Sequence, residues 1–226
     1  MRIFAVGGGG FTSATHGGLD ETLLTLIDRP AKRIGYIGTA NDDDPIRIGH
    51  FHALIAPRVS FASVMPAHVS AREAATWIRG HDLVYVGGGD TAKLLEQWRA
   101  TGFDRSLREA ANDGIVLAGV SAGAACWFEA ALVRGASGRL ECIDGLGFLK
   151  GSACAHYSTE PERRTAYPDH VARGAVPPGI GIDDGVGVLF HGSNECATWS
   201  AEDGCWAYRV RRDLRGGAVS SRLPAL

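Results

Sequence analysis

The segment Gly119-Val120-Ser121-Ala122-Gly123 constrains this chain more than any other stretch. It follows the apolar run Ile115-Val116-Leu117-Ala118 and leads into Ala124-Ala125-Cys126-Trp127-Phe128-Glu129. The run before it reads as a strand, and residues 122–131 read as a helix. A serine on the sharp turn between a strand and a helix has the geometry of a nucleophile elbow. Glycines two before and two after the serine remove the Cβ atoms that would collide where strand and helix cross. The turn is expected to force Ser121 into a strained backbone region and lift its Oγ over the C-terminal edge of a sheet. The helix N-terminus would then offer free N–H groups to an oxyanion. The plain alternative is a glycine-rich turn that happens to contain a serine; the flanking strand and helix argue against it.

Further strands are expected at 2–6, 33–37, 59–64 and 83–86, with 115–120 before the elbow. Between them lie helical stretches at about 19–28, 44–56, 70–79, 91–100 and 104–112. Ser70 with Glu73 three residues later is a capping-box start. This alternation predicts an α/β fold, a three-layer sandwich with a mostly parallel sheet and helices on both faces. Ligands in such sheets bind at the C-terminal strand ends, where Gly7 to Gly10, Gly87 to Gly89 and the elbow glycines cluster. The second half is poorer in helix, with short strands expected at 152–155, 179–183, 186–190, 194–199 and 205–210 and a helix near 160–172. It reads as an antiparallel extension of the same sheet. No linker or repeat interrupts residues 1–226, so one domain is expected.

A net charge of −2 and the lack of a basic stripe with interleaved aromatics argue against nucleic acid as a partner. No apolar run reaches about 18 residues, so no membrane span is expected. Met1 to Val6 run straight into a strand without a signal-cleavage pattern, which points to the cytoplasm. Five scattered cysteines and eight histidines show no metal-ligand spacing, so neither metal nor cofactor is expected.

A serine nucleophile needs a base, and the base needs an orienting group. His156 closes the small apolar run Ala153-Cys154-Ala155 and is the best-placed base. His50, His52, His68 and His81 read as surface residues, and His16 as a residue on the rim of the first glycine turn. Asp183 and Asp184 follow a late strand, and period-2 alternation lets only one of them meet His156. Glu129 and Glu160 are rivals for that role.

Taken together, Val86-Gly87-Gly88-Gly89-Asp90-Thr91, Gly119 to Ala124, Ala155-His156-Tyr157 and Gly181-Ile182-Asp183-Asp184-Gly185 resemble the peptidase E family of aspartyl dipeptidases, whose relatives include cyanophycinases. The resemblance covers about residues 2–190. It implies a class I glutamine-amidotransferase-like sandwich and a serine peptidase acting on a small peptide, as a monomer or homodimer. By resemblance Ser121 is the nucleophile and His156 the base. Asp184 occupies the orienting position, where the family has Glu. The oxyanion hole falls to the N–H of Ala122 and one from the Gly88-Gly89 turn. Arg163 and Arg164 are candidate ligands for a substrate carboxylate, against the reading of a solvated helix face with Glu160 and Glu162. Residues 130–144 lack the Thr-Asp-Ser type of sequence many relatives carry near the substrate, so weak or absent Asp-X hydrolysis is expected. Two other readings compete: a non-catalytic binder of peptides or amino acids, and a nucleotide site at Gly7 to Gly10, which lacks the Gly-Lys-Ser/Thr end of a P-loop.

Overall fold

Alternating burial in the first strand sets the layering of the molecule. The protein's computed structural model describes residues 1–66, 69–192 and 194–224. In β1 (Arg2–Val6), Ile3 and Ala5 face one core while Phe4 and Val6 face another, and all four are buried. The same split recurs in β2 (Arg33–Ile37), β4 (Leu83–Val86) and β5 (Val116–Val120). Strands buried on both faces belong in a parallel sheet covered on both sides. With β3 (Phe61–Val64) they form the parallel order β3-β2-β4-β5-β1.

One face of this sheet is covered by α1 (Gly18–Thr25), through Leu19 and Leu23, and by Phe51 and Ile55. These last two lie beyond α2 (Pro45–His50), where the expected helix 44–56 continues as a π turn and then a 3₁₀ turn. The other face takes α3 (Ala71–Arg79), α4 (Thr91–Thr101) and α5 (Phe103–Asn112), through Ile78, Leu94, Trp98 and Leu107. The capping box opens α3: Ser70 Oγ accepts from the Glu73 N–H at 3.3 Å, and Glu73 Oε2 accepts from the Ser70 N–H at 2.9 Å.

The α/β class stands, and the C-terminal half adds more than an extension. After the elbow, α6 (Ala122–Ala125) is a single turn, not the expected helix over 122–131. The chain then enters β6 (Phe128–Arg134), which is buried along most of its length. With β7 (Leu140–Asp144), β8 (Leu149–Cys154), β9 (Gly179–Ile182), β12 (Ala207–Arg212) and β13 (Ala218–Arg222), it forms a second sheet in the order β13-β12-β9-β8-β6-β7. Its inner side shares the core of α3, α4 and α5, and its outer side is covered by Tyr167 and Val171 of α7 (Pro161–Arg173). Only β10 (Val186–His191) and β11 (Asn194–Ser200) extend the first sheet, antiparallel beside β1. The chain therefore crosses between sheets three times: after Ser121, between β9 and β10 through Asp183-Asp184-Gly185, and between β11 and β12.

Candidate active site

Ser121 ends β5 with φ 56° and ψ −111°, a region a serine rarely occupies. The crossing explains the two flanking glycines. A Cβ on Gly119 would lie 2.2 Å from Gly123 O, and one on Gly123 would lie 2.2 Å from Val86 O. The Ser121 N–H is held by Val6 O at 3.0 Å, so the strained residue is anchored to the central strand. Cys126 is buried one turn on, and its burial pushes the thiol well above its usual range.

His156 follows β8, from the second sheet, and also has positive φ at 52°. Its Nε2 is 2.8 Å from Ser121 Oγ, and its Nδ1 is 2.6 Å from Asp184 Oδ1. A carboxylate only accepts, so Nδ1 carries the proton and donates to Asp184. Nε2 is then left to accept from the Ser121 hydroxyl. Burial pushes the Asp184 carboxyl up, but the hydrogen bond and charge of His156 outweigh it, and the group sits below its usual range. Thr159 and His16 add to that lowering.

Asp183 faces the other way. It is buried, and its Oδ2 accepts from the Trp206 N–H at 3.0 Å. Of the rivals, Glu129 pairs with Lys150 and takes the Gly151 N–H, away from His156. Glu160 lies in the adjacent cleft but binds arginines. His81 is buried rather than on the surface: Ser63 Oγ and Trp77 O hold its two ring nitrogens at 2.9 and 2.7 Å. His68 lies outside the described residues.

The Gly88-Gly89 turn passes directly beside the nucleophile. A Cβ on Gly88 would sit 3.1 Å from Ser121 Cβ. Among the described residues, the N–H groups of Gly88, Gly89 and Ala122 have no backbone acceptor. The Gly88 carbonyl is turned elsewhere: it accepts from Asn41 Nδ2 at 2.7 Å and from Arg47 Nη1 at 3.1 Å.

Two clefts meet at Ser121. The larger, about 180 Å³, runs past Ala122 and Ala155 to Arg134, Glu160 and Arg163. Its charges are mutually paired. Arg163 is 5% exposed, grips Glu160 with two nitrogens at 2.8 and 3.2 Å, and donates to Leu132 O at 3.1 Å. Arg134 bonds both Glu160 and Glu162. Burial alone would raise the Glu160 carboxyl, yet the two arginines hold it at about 2. Arg163 is thus at the site but already engaged, and it does not lie on a solvated face. Arg164 points away, donating to Ser158 Oγ at 2.7 Å and stacking over Tyr157 and Tyr208. The smaller cleft, about 90 Å³, is lined by Gly8, Thr12, Ser13 and Arg47 around Ser121 and His156. Arg47 has no motif around it, and sequence reasoning missed it. Among the described residues, no three His, Cys, Asp or Glu side chains gather as a metal set, and no helix is long and apolar enough to cross a membrane.

A serine, a histidine and an aspartate in line, with free N–H groups beside the serine, can perform acyl transfer. Comparison with known proteins places the chain among peptidases. An uncharacterized peptidase, YgaJ, of Bacillus subtilis (strain 168) is 36% identical over 215 residues, spanning 92% of this chain and 91% of its own. A crystal structure of a peptidase from an acI-B1 Actinobacterium superposes with a TM-score of 0.70 at 19% identity, over 99% of this chain and 94% of that one. A putative peptidase E protein from Listeria monocytogenes EGD-e superposes with a TM-score of 0.62 at 20% identity, over 88% of this chain and 98% of its own. These two share the fold. The profile of peptidase family S51 matches residues 3–196, and the chain belongs to that family of serine-type peptidases.

Proposed function

We propose that this chain hydrolyses short peptides through a Ser121–His156–Asp184 triad, acting as one catalytic domain. The in-line hydrogen bonds at 2.8 and 2.6 Å carry the reading. As a peptide carbonyl arrives, His156 Nε2 takes the Ser121 proton and Oγ bonds to the carbonyl carbon. The oxyanion is met by the Ala122 N–H and one from the Gly88-Gly89 turn. The imidazolium stands against Asp184, whose carboxylate stays ionised and holds the Nδ1–H tautomer. Nε2–H then protonates the leaving amine, and the acyl group remains on Ser121. Water, deprotonated by His156, releases the acid and restores the hydroxyl.

The substrate is small because both clefts beside Ser121 are small. Glu160 and Glu162 already neutralise the cations of the larger cleft, which supports weak turnover of Asp-X dipeptides there. A fluorophosphonate probe should label the wild-type protein and not Ser121→Ala. A dipeptide panel varying the first residue should show hydrolysis lost in the same variant. Labelling that persists in Ser121→Ala would refute the assignment of the nucleophile.

A further inference from the structure

We infer that Arg47 captures the free α-carboxylate of the residue beyond the scissile bond, so that the enzyme selects dipeptides by their C-terminal charge. This rests on the peptidase reading above and names the substrate class of that site.

Three observations carry it. The first is reach. The point where a Gly88 Cβ would sit lies 3.1 Å from Ser121 Cβ and 3.4 Å from Arg47 Nη1, so the guanidinium stands one small group away from the nucleophile. Successive Cα atoms are about 3.8 Å apart, so the carboxylate of the next residue falls within that span.

The second is charge. The smaller cleft is lined by no carboxylate, and Arg47 is its one arginine or lysine among the described residues. Nη1 is held by the Gly88 carbonyl at 3.1 Å, and Nε pairs loosely with Asp44 Oδ2 at 3.6 Å on the helix beside the cleft. The side chain is 32% exposed, so its remaining N–H groups are open to a ligand. Arg134 and Arg163 are by contrast consumed by Glu160 and Glu162. A planar guanidinium binds a carboxylate with paired N–H groups, and that geometry is specific.

The third is the wall of the cleft. Thr12 is 4% exposed, and its Oγ1 has no hydrogen-bond partner among the described residues. Buried hydroxyls are normally satisfied, and Thr12 carries the unsatisfied one among the described residues lining this cleft. A volume of about 90 Å³ takes one small residue and no extended chain. A longer peptide would have to place a neutral amide where Arg47 expects a charge.

The test compares X-Ala dipeptides with the matching X-alaninamides, with X varied, in wild type, Arg47→Gln and Arg47→Lys. The ratio of kcat/KM for acid over amide is read within each protein, so any general loss in a variant cancels. Wild type should favour the acid by about 10- to 100-fold, the range of a charge-assisted hydrogen bond. Arg47→Gln should bring the ratio close to one, mainly through KM for the acid, and Arg47→Lys should keep an intermediate preference. Wild type that takes up the fluorophosphonate at Ser121 yet cleaves acid and amide equally overturns the Arg47 assignment alone. So does an Arg47→Gln protein with an unchanged ratio but an altered preference for the first residue, which would put the guanidinium on the acyl side. A protein that neither labels nor hydrolyses any member of the panel overturns this inference and the peptidase reading together.

Discussion

The backbone of Gly8 lies against the carboxylate of Asp184: a Cβ on Gly8 would stand 2.0 Å from Asp184 Oδ1 and 2.9 Å from His156 Cε1. The two residues are also joined by an isolated parallel bridge outside the strands, and the Gly185 N–H donates to Gly8 O at 2.9 Å. The first glycine turn therefore leaves room for the Asp184 carboxylate and the His156 ring.

Gly8→Ala should displace Asp184 or His156 by about the width of a methyl group. A misplacement near 1 Å costs about 10²-fold in rate, so kcat/KM should fall by that order. Global stability, read by urea unfolding, should change far less in proportion. Near-wild-type turnover would mean that Asp184 does not orient the base.

Asp184→Asn should lower hydrolysis by about 10⁴-fold, because an amide does not enforce the Nδ1–H tautomer. Asp183→Asn should stay within about tenfold of wild type, since its carboxylate serves the Trp206 N–H instead. Steady-state kinetics of the two variants decides between them, and the reverse order would reassign the triad.

Glu160→Gln should destabilise the fold by about 1–3 kcal/mol, because it leaves the buried Arg163 guanidinium without its countercharge. Adding Arg163→Met to Glu160→Gln should recover part of the loss. A double-mutant cycle by chemical denaturation reads this coupling directly. Additive losses would show that the two side chains are not coupled.

Asp20 sits buried under the first glycine turn and accepts the Phe11 N–H at 2.9 Å. Burial raises its carboxyl to about 6, against the opposing pull of that hydrogen bond. The folded state thus binds this proton more tightly than the unfolded chain, whose value is about 3.9. Its stabilising effect is full below about pH 4 and is lost as pH rises to about 6. Asp20→Asn keeps an acceptor for Phe11 without the charge, so it should stabilise the protein at pH 7 by about 1–2 kcal/mol. The gain should vanish near pH 4. Thermal melts at the two pH values test the sign.

The elbow, His156 and the Asp183-Asp184 turn were legible because each is a local signal: a strand end followed by a short motif. The turn also left one acid facing His156, as alternation along β9 requires. The stretch after Ser121 reads as helix because Ala-Ala-Cys-Trp-Phe-Glu-Ala-Ala-Leu-Val is apolar except at Glu129, and periodicity cannot separate a buried helix from a doubly buried strand. The second sheet was hidden because its neighbours are distant in sequence, as when β9 pairs with β8 and β12. β7 is a half-buried edge strand, and β13 an exposed one with little apolar patterning. His81 reads as a surface residue because its burial depends on Trp77 and Ser63, and Arg47 carries no local signal because its partner, Gly88, lies 41 residues away.

The path of the chain between sheets has a mechanical consequence. Ser121 rides on the first sheet and His156 on the second, while Asp184 sits on one of the crossings between them. Neither sheet alone holds the three in line. A slip of one sheet against the other would keep the strands within each sheet paired, yet would open the 2.8 Å contact between Ser121 and His156. Turnover then works as a vernier on the seam, and inactivation should precede unfolding whenever a denaturant, a temperature step or a distant substitution loosens the apolar layer between the sheets.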